Sequence, residues 1–412
     1  MLSIAIIRGV DLNPFELCSF EPLLRTHRLV AFAARRTWAP LDGTRVDIRR
    51  LPSPAEAPLF LPPACQRVSQ AAIHRLLGGA RNALLGLPDA VRGFDVLHPA
   101  ETHNFYSYQA AGVKKRTGAR LVVTCWENLP HNFERHPLTR AIKQAVRHAA
   151  DAFIAVSESA RQALLAEGVS SDRIAVSAPG VDVSAFHPTG SAVSRTALGL
   201  PADRPVVLYV GRLVRDKGVH DIVGAAARPS RTKPVWLLVG AGPERAALEA
   251  RAARAGLDGA LRILGPRRHD ELPPLYRLAD VLVLPSRPAP HWQEQFGLVL
   301  IEAMASGLPV VATDTGAIPE VVGPAGMIIP PGDPDRLASA VERLLGDPEE
   351  RQRLGRLARA RAEEEFSHHL AAARLATIYK RVAAGLPPRA DPHHDEAATG
   401  ALTSSGPVRG RA

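Results

Sequence analysis

Two of the three glutamates in the largely apolar stretch "WQEQFGLVLIEAMASGLPVVATDTGAIPEVV", Trp292 to Val322, are Glu294 and Glu302. From Leu298 to Ala305 the neighbours of Glu302 are Leu, Val, Leu, Ile, Ala, Met and Ala, which cover every face of two helical turns. That pattern predicts a buried helix, with Met304 in the core. An unpaired carboxylate in such a place is strongly unfavourable or takes up a proton. Glu302 therefore requires a partner, either a basic residue from elsewhere in the fold or a bound ligand.

A second cluster is "LYVGRLVRDKGV", Leu208 to Val219. A strand should end at Val210 and turn at Gly211, so that Arg212 and Lys217 bracket a loop leading into a helix. Two cations beside free helix N–H groups suit a multiply charged anion such as a diphosphate. A third stretch, "LLVGAGPERAALEA", looks like a dinucleotide-binding glycine loop, but Gly240 and Gly242 are followed by Arg245 where the third glycine should stand. This disfavours an NAD dehydrogenase and leaves Gly240 as a tight turn near a ligand. The "DPD" at Asp333 to Asp335 reads as an N-cap followed by Pro at the first helical position, not as a metal-binding carboxylate pair. No other residues suggest metal ligands, so no metal is expected.

The elements that must hold these residues alternate along the chain. Apolar runs "SIAIIRG", "VLHPA", "ARLVVTCW", "DAFIAVS" and "RIAVSAPGV" form one series. A second comprises "PVVLYVGR", "VWLLVGAG", "LRILG", "DVLVLPS", "PVVATD" and "AGMIIPP". Continuous Val/Ile/Leu runs suit strands covered on both faces, so the fold class is α/β with parallel sheets and helical crossovers. The Rossmann-like pattern occurs twice, in residues 1–187 and 188–370, with a polar, turn-rich seam at Phe186 to Pro205. A closing helix should follow at 371–388, and 389–412, poor in large apolar residues, reads as a disordered tail.

At 412 residues, two domains are the default expectation. Three scattered cysteines suggest neither a disulfide framework nor a zinc site and fit a reducing, cytoplasmic location. The opening apolar run is too short for a signal peptide, and no later one approaches a membrane span. The formal net charge is +10, with the excess in the N-terminal half: between Arg25 and Arg92 eleven Arg face four acids. Arg140, Lys143 and Arg147 follow at helical spacing. This is read either as a solvated basic face or as attraction to an acidic acceptor or an anionic membrane on its cytoplasmic side. No nucleic-acid module accompanies the charge.

Taken together, "VGRLVRDKG", "GAGP", the Glu294/Glu302 pair, "FGLVLIEAMASGLPVVAT" and "TGAIPEVV" resemble the nucleotide-sugar half of retaining glycosyltransferases of family 4, which have the GT-B fold. "DAFIAVSESARQALLAEGVSSDRIAVSAPGVDVSAFHP" is similar to the family's approach to the interdomain linker. The resemblance implies a UDP- or GDP-sugar donor, no further cofactor, and a glycan, lipid or small-molecule acceptor held by the N-terminal half. It gives Glu302 the nucleotide ribose as partner and places Glu294 beside the donor sugar. Arg212 and Lys217 would neutralise the departing diphosphate, while Gly211, Phe296, Gly297 and Leu298 would let backbone N–H groups approach it. The base would rest near Arg262 to Gly265, including Ile263.

The N-terminal half departs from the family pattern. Family members often carry a His after the strand that "ARLVVTCWENLPH" resembles, where Trp126 stands here; Glu127, Asn128 and His131 are the nearby candidates, and Glu127 is taken as the catalytic one. The Gly-rich loop after the first strand is reduced to Gly9, which leaves Arg8 and Asn13 to line the cleft. His98 and His103 read first as packed or solvated histidines. The departures keep open a GT-B protein that binds nucleotide sugars without transfer, or a GT-B epimerase or phosphorylase.

Overall fold

The computed structural model describes residues 1–61, 65 and 78–390. Its first sheet contains β1 (Ser3–Gly9), β2 (Arg28–Ala34), β3 (Asp47–Leu51), β4 (Val96–Pro99), β5 (Arg120–Cys125), β6 (Ala152–Ala155) and β7 (Ile174–Val176). The order is β3-β2-β1-β4-β5-β6-β7, with every pair parallel. The second sheet contains β8 (Val206–Val210), β9 (Val235–Val239), β10 (Leu261–Gly265), β11 (Val281–Leu284), β12 (Val310–Thr313) and β13 (Gly326–Ile329). Its order, β10-β9-β8-β11-β12-β13, repeats the same doubly wound plan. In each sheet the strand order reverses beside the first strand, and ligands of open α/β sheets bind at the carboxyl ends flanking that point.

The apolar runs named above coincide with eleven of these strands, and the remaining two differ for physical reasons. β3 is an edge strand whose residues are all exposed or half-buried, so its sequence "DIRRL" lacks the continuous apolar signal. β2, "RLVAFAA", is buried from Leu29 onward but sits inside the arginine-rich stretch that reads as a charged surface.

The chain crosses between the two halves twice, side by side. Val181 N donates to Phe366 O at 2.7 Å, and His368 N donates to Val181 O at 2.9 Å. The last helix, His368–Ala383, then returns to the first sheet, where Ile378, Tyr379 and Val382 pack with Ile4 and Ile6. Beneath it His98 is fully buried, with Nδ1 2.6 Å from Tyr379 Oη and Nε2 2.6 Å from Thr124 Oγ1. Burial and the nearby Arg8 charge hold this imidazole well below the usual histidine range, so it is a neutral packing residue. The tail expected after residue 390 lies outside the described residues.

Two sequence expectations about charge take definite form. Asp333 caps the helix Pro334–Gly346 through the N–H of Arg336, with Pro334 at its first turn. Lys143, expected on a basic face, is instead buried: Nζ lies 2.5 Å from Glu167 Oε1 and 3.0 Å from Asn132 O, and Arg147 pairs with Glu134 and Glu167. That part of the positive charge is neutralised internally and offers nothing to a membrane. Among the described residues no helix is long and apolar enough to cross one.

Candidate active site

A cavity of about 1410 Å³ lies between the two sheets, lined on one wall by residues 210–212 and 217, 239–241, 266–273, 294–299 and 302. These are loops at the carboxyl ends of β8, β9, β10 and β11. Lys217, in the short turn Arg215–Lys217 after β8, places Nζ 2.6 Å from Glu294 Oε2 and 5.1 Å above the Trp292 ring. Ser286, just beyond β11, donates to the same carboxylate oxygen at 2.7 Å. The two flanks of the topological switch point thus meet at Glu294, which is 5% exposed and therefore no ordinary surface acid.

Backbone geometry fixes this carboxylate. Gly316 adopts φ +56°, and a Cβ there would collide with Glu294 O, while Ala317 N donates to that oxygen at 3.0 Å. Gly240 likewise packs so closely on Gly211 O that no side chain fits. Only glycine permits such contacts. Arg212 is exposed at the rim, and its guanidinium makes no hydrogen bond or ion pair with another described residue; Gly297 and Leu298 present the start of the buried helix Leu298–Ala305 to the same space. An exposed guanidinium, an ammonium held by Glu294 and a helix N-terminus converge on one opening, an arrangement suited to a diphosphate.

Glu302 is 4% exposed, and its partners come from within the chain. Tyr276 Oη donates to Oε2 at 2.6 Å, and His269 Nε2 lies 3.0 Å from Oε1. Neither partner is legible in the sequence, because both lie on separate loops and helices that meet only in the folded domain. The carboxylate still lines the cleft and keeps lone pairs for a further donor. The His269 ring sits edge-on to Phe15 of the first domain, 4.3 Å between centroids.

Arg262 and Ile263 do not line the cleft, which corrects their expected place at the nucleotide base. Arg262 is the second residue of β10, and its Nη1 donates to Gly199 O at 3.2 Å on the far side. The wall is built by Pro266 to His269, past the end of that strand, as the rule for carboxyl ends requires.

The opposite wall comes from the first domain. Trp126 stands there, its ring 6.3 Å from Phe296 in an edge arrangement that bridges the domains. Asn128 Nδ2 donates to Glu294 O at 2.9 Å, Gln293 Nε2 to Asn128 O at 3.2 Å, and Asn132 Nδ2 to His291 O at 3.1 Å. Glu127 lines the cleft and accepts from Leu129 N and Asn132 Nδ2; burial raises its pKa. His131 is exposed and contacts Glu134. Arg8 is committed to the interior, with Nε 2.7 Å from Glu16 Oε1 and Nη1 2.7 Å from His98 O, although it touches the cleft floor. Asn13 caps a short helix through Glu16 N. His103, also in this wall, is held down to about 3 by burial and by the charges of Lys143 and Arg81.

Comparison with known proteins agrees with this geometry. Residues 25–185 match the family model for Glycosyltransferase Family 4, and residues 191–361 that for Glycosyl transferases group 1. The chain belongs to the family 4 glycosyltransferases with the GT-B fold. D-inositol 3-phosphate glycosyltransferase from Corynebacterium urealyticum is 34% identical over 284 residues, 62% of this chain and 65% of that protein, so the match spans just under two thirds of the relative. Among solved structures, sucrose-phosphate synthase from Thermosynechococcus elongatus superposes with a TM-score of 0.73 at 24% identity, over 93% of this chain and 100% of that one. HepE of Anabaena, solved with UDP and glucose, superposes with a TM-score of 0.73 at 21% identity, over 91% and 98%. At these identities the two structures speak for the fold.

Proposed function

We propose that this family 4 protein moves a hexose from a UDP- or GDP-sugar to a glycan, lipid or small-molecule acceptor, with retention of anomeric configuration. The observation that carries the reading is the junction of Lys217, Ser286 and Glu294 at the switch point of the second sheet, with Arg212 at its rim. As the glycosidic bond lengthens, negative charge gathers on the leaving diphosphate, and the Lys217 ammonium and Arg212 guanidinium are placed to stabilise it. Glu294 keeps Lys217 in position and faces the space a donor sugar would enter. The acceptor approaches from the wall of Trp126 and Glu127, and the contacts between Asn128, Asn132 and the 291–294 loop hold the domains closed over the reactants, excluding water that would hydrolyse the donor. Retention rests on the family resemblance, and the nucleotide on the resemblance together with the UDP held by HepE.

A panel of nucleotide sugars, read by nucleoside diphosphate release with and without candidate acceptors, tests the reading. D-inositol 3-phosphate belongs among the acceptors because the relatives are named for it. Release that depends on acceptor, with a product whose anomeric proton coupling matches the donor's, is expected. Binding without release would identify a protein that has lost transfer, and consumption of inorganic phosphate would identify a phosphorylase. Because side-chain cations fill the place of a metal, turnover is expected to persist in EDTA; full loss in EDTA with recovery on adding manganese would contradict that assignment.

A further inference from the structure

Glu101 also lines the cleft, on the wall of the first domain. It follows β4 and adopts φ +63°, a left-handed conformation that costs a non-glycine residue about 1–2 kcal/mol. The backbone is pinned there: Glu101 N donates to Thr124 O at 2.7 Å, and Ser107 Oγ donates to Glu101 O at 2.7 Å. This aims the carboxyl at the loop after β5, where Oε1 accepts from Trp126 N at 2.8 Å and from Glu127 N at 3.1 Å. The second oxygen, Oε2, lies 3.9 Å from His103 Nδ1, beyond hydrogen-bond reach, and the residue lines the cleft.

We propose that Glu101 is an acceptor-positioning residue, with Oε1 clamping the Trp126–Glu127 turn that forms the acceptor wall and Oε2, as the protonated oxygen, donating to an acceptor hydroxyl. The inference rests on the glycosyl-transfer reading and adds a residue to it. Burial and the Glu127 charge favour the neutral acid and outweigh the two N–H bonds to Oε1 and the Lys143 charge, which favour the anion. Glu127 approaches from the β5 loop as a like charge, Cys125 and Tyr106 are buried without charge, His103 is neutral, and Lys143, on the helix Pro137–Ala149, is already paired with Glu167. Burial first, and then the Glu127 charge, push the Glu101 carboxyl up to about 8. The acid is therefore protonated below that pH and ionises above it, so a step that needs its proton weakens as pH rises through about 8.

Three variants separate this role from a structural one. Glutamine copies the neutral acid, retaining an oxygen for the two N–H groups and an amide donor in place of the hydroxyl; alanine removes both. Transfer is measured between about pH 6.5 and 9.5 with D-inositol 3-phosphate as acceptor, and with water as acceptor in donor hydrolysis should that cyclitol be inert. Wild type should lose kcat/KM above about pH 8. E101Q should stay within roughly threefold of wild type at pH 7 and lose that alkaline limb, whereas E101A should fall about 10- to 100-fold. E101D, a methylene shorter, should resemble E101A. A limb that persists in E101Q, or an E101A enzyme as active as wild type, overturns the proposal. Infrared spectra of the wild type minus E101Q give a readout without turnover: a protonated-carboxyl band lost near pH 8 is expected, and its absence overturns the proposal. In all variants the melting shift induced by UDP or GDP should match wild type. If wild type itself shows no such shift, it is the donor reading that fails.

Discussion

Lys217→Ala is expected to lower kcat by roughly 30- to 1,000-fold while donor affinity changes less, because the charge it meets grows as the diphosphate departs. The range corresponds to about 2–4 kcal/mol for a charge-assisted contact to a developing anion. Glu294→Gln should follow the same pattern, since Lys217 Nζ is held 2.6 Å from Glu294 Oε2 and loses its orienting charge. The two effects should fall well short of adding, because each removes part of one ion pair. Lys217→Ala also strands the buried Glu294 carboxylate beside Ser286, a change that typically costs about 3–5 kcal/mol of stability. Rates are therefore compared on protein that circular dichroism shows to be folded at the assay temperature. A folded Lys217→Ala enzyme with wild-type kcat would remove the ammonium from the chemistry.

Glu302→Gln is expected to act on the donor KM, raising it about 10- to 100-fold with a smaller change in kcat, if the carboxylate accepts from the ribose in ground and transition states alike. The structure sharpens the competing outcome. Glu302 already accepts from Tyr276 Oη and meets His269 Nε2, so a purely structural role predicts a lower melting temperature without donor-specific kinetics. Measuring the melting temperature of wild type and Glu302→Gln with and without UDP and GDP separates the two. An unchanged nucleotide-induced shift in the variant would make Glu302 a member of the Tyr276 and His269 network alone.

What could be read from the sequence follows from how local each signal is. The parallel sheets were legible because strands buried on both faces must be continuously apolar, and the cations Arg212 and Lys217 because they follow the first strand of their sheet. β3 escaped because an edge strand shows its polarity, and β2 because arginines surround it. Arg262 was misplaced by assigning the base to the strand when the cleft is built past its carboxyl end, at Pro266 to His269. Lys143 looked like surface because its acids, Glu134 and Glu167, lie outside its own helix. Glu101 carried no sequence signal beyond its charge. Its position depends on a left-handed backbone and on N–H groups 25 and 26 residues away, and both exist only in the folded chain.

Transfer by this protein requires above all that the second domain bind a nucleoside diphosphate through side-chain cations at the switch point. Isothermal titration of UDP and of GDP onto the full chain in EDTA, repeated on Lys217→Ala and Arg212→Ala, addresses that dependence without any acceptor. One nucleotide is expected to bind wild type at a single site with no added metal, and removal of Arg212, whose guanidinium is exposed at the rim of the cleft, should weaken it at least about tenfold. Absence of binding heat from both nucleotides, or equal affinity in all three proteins, would contradict the assignment of the cleft.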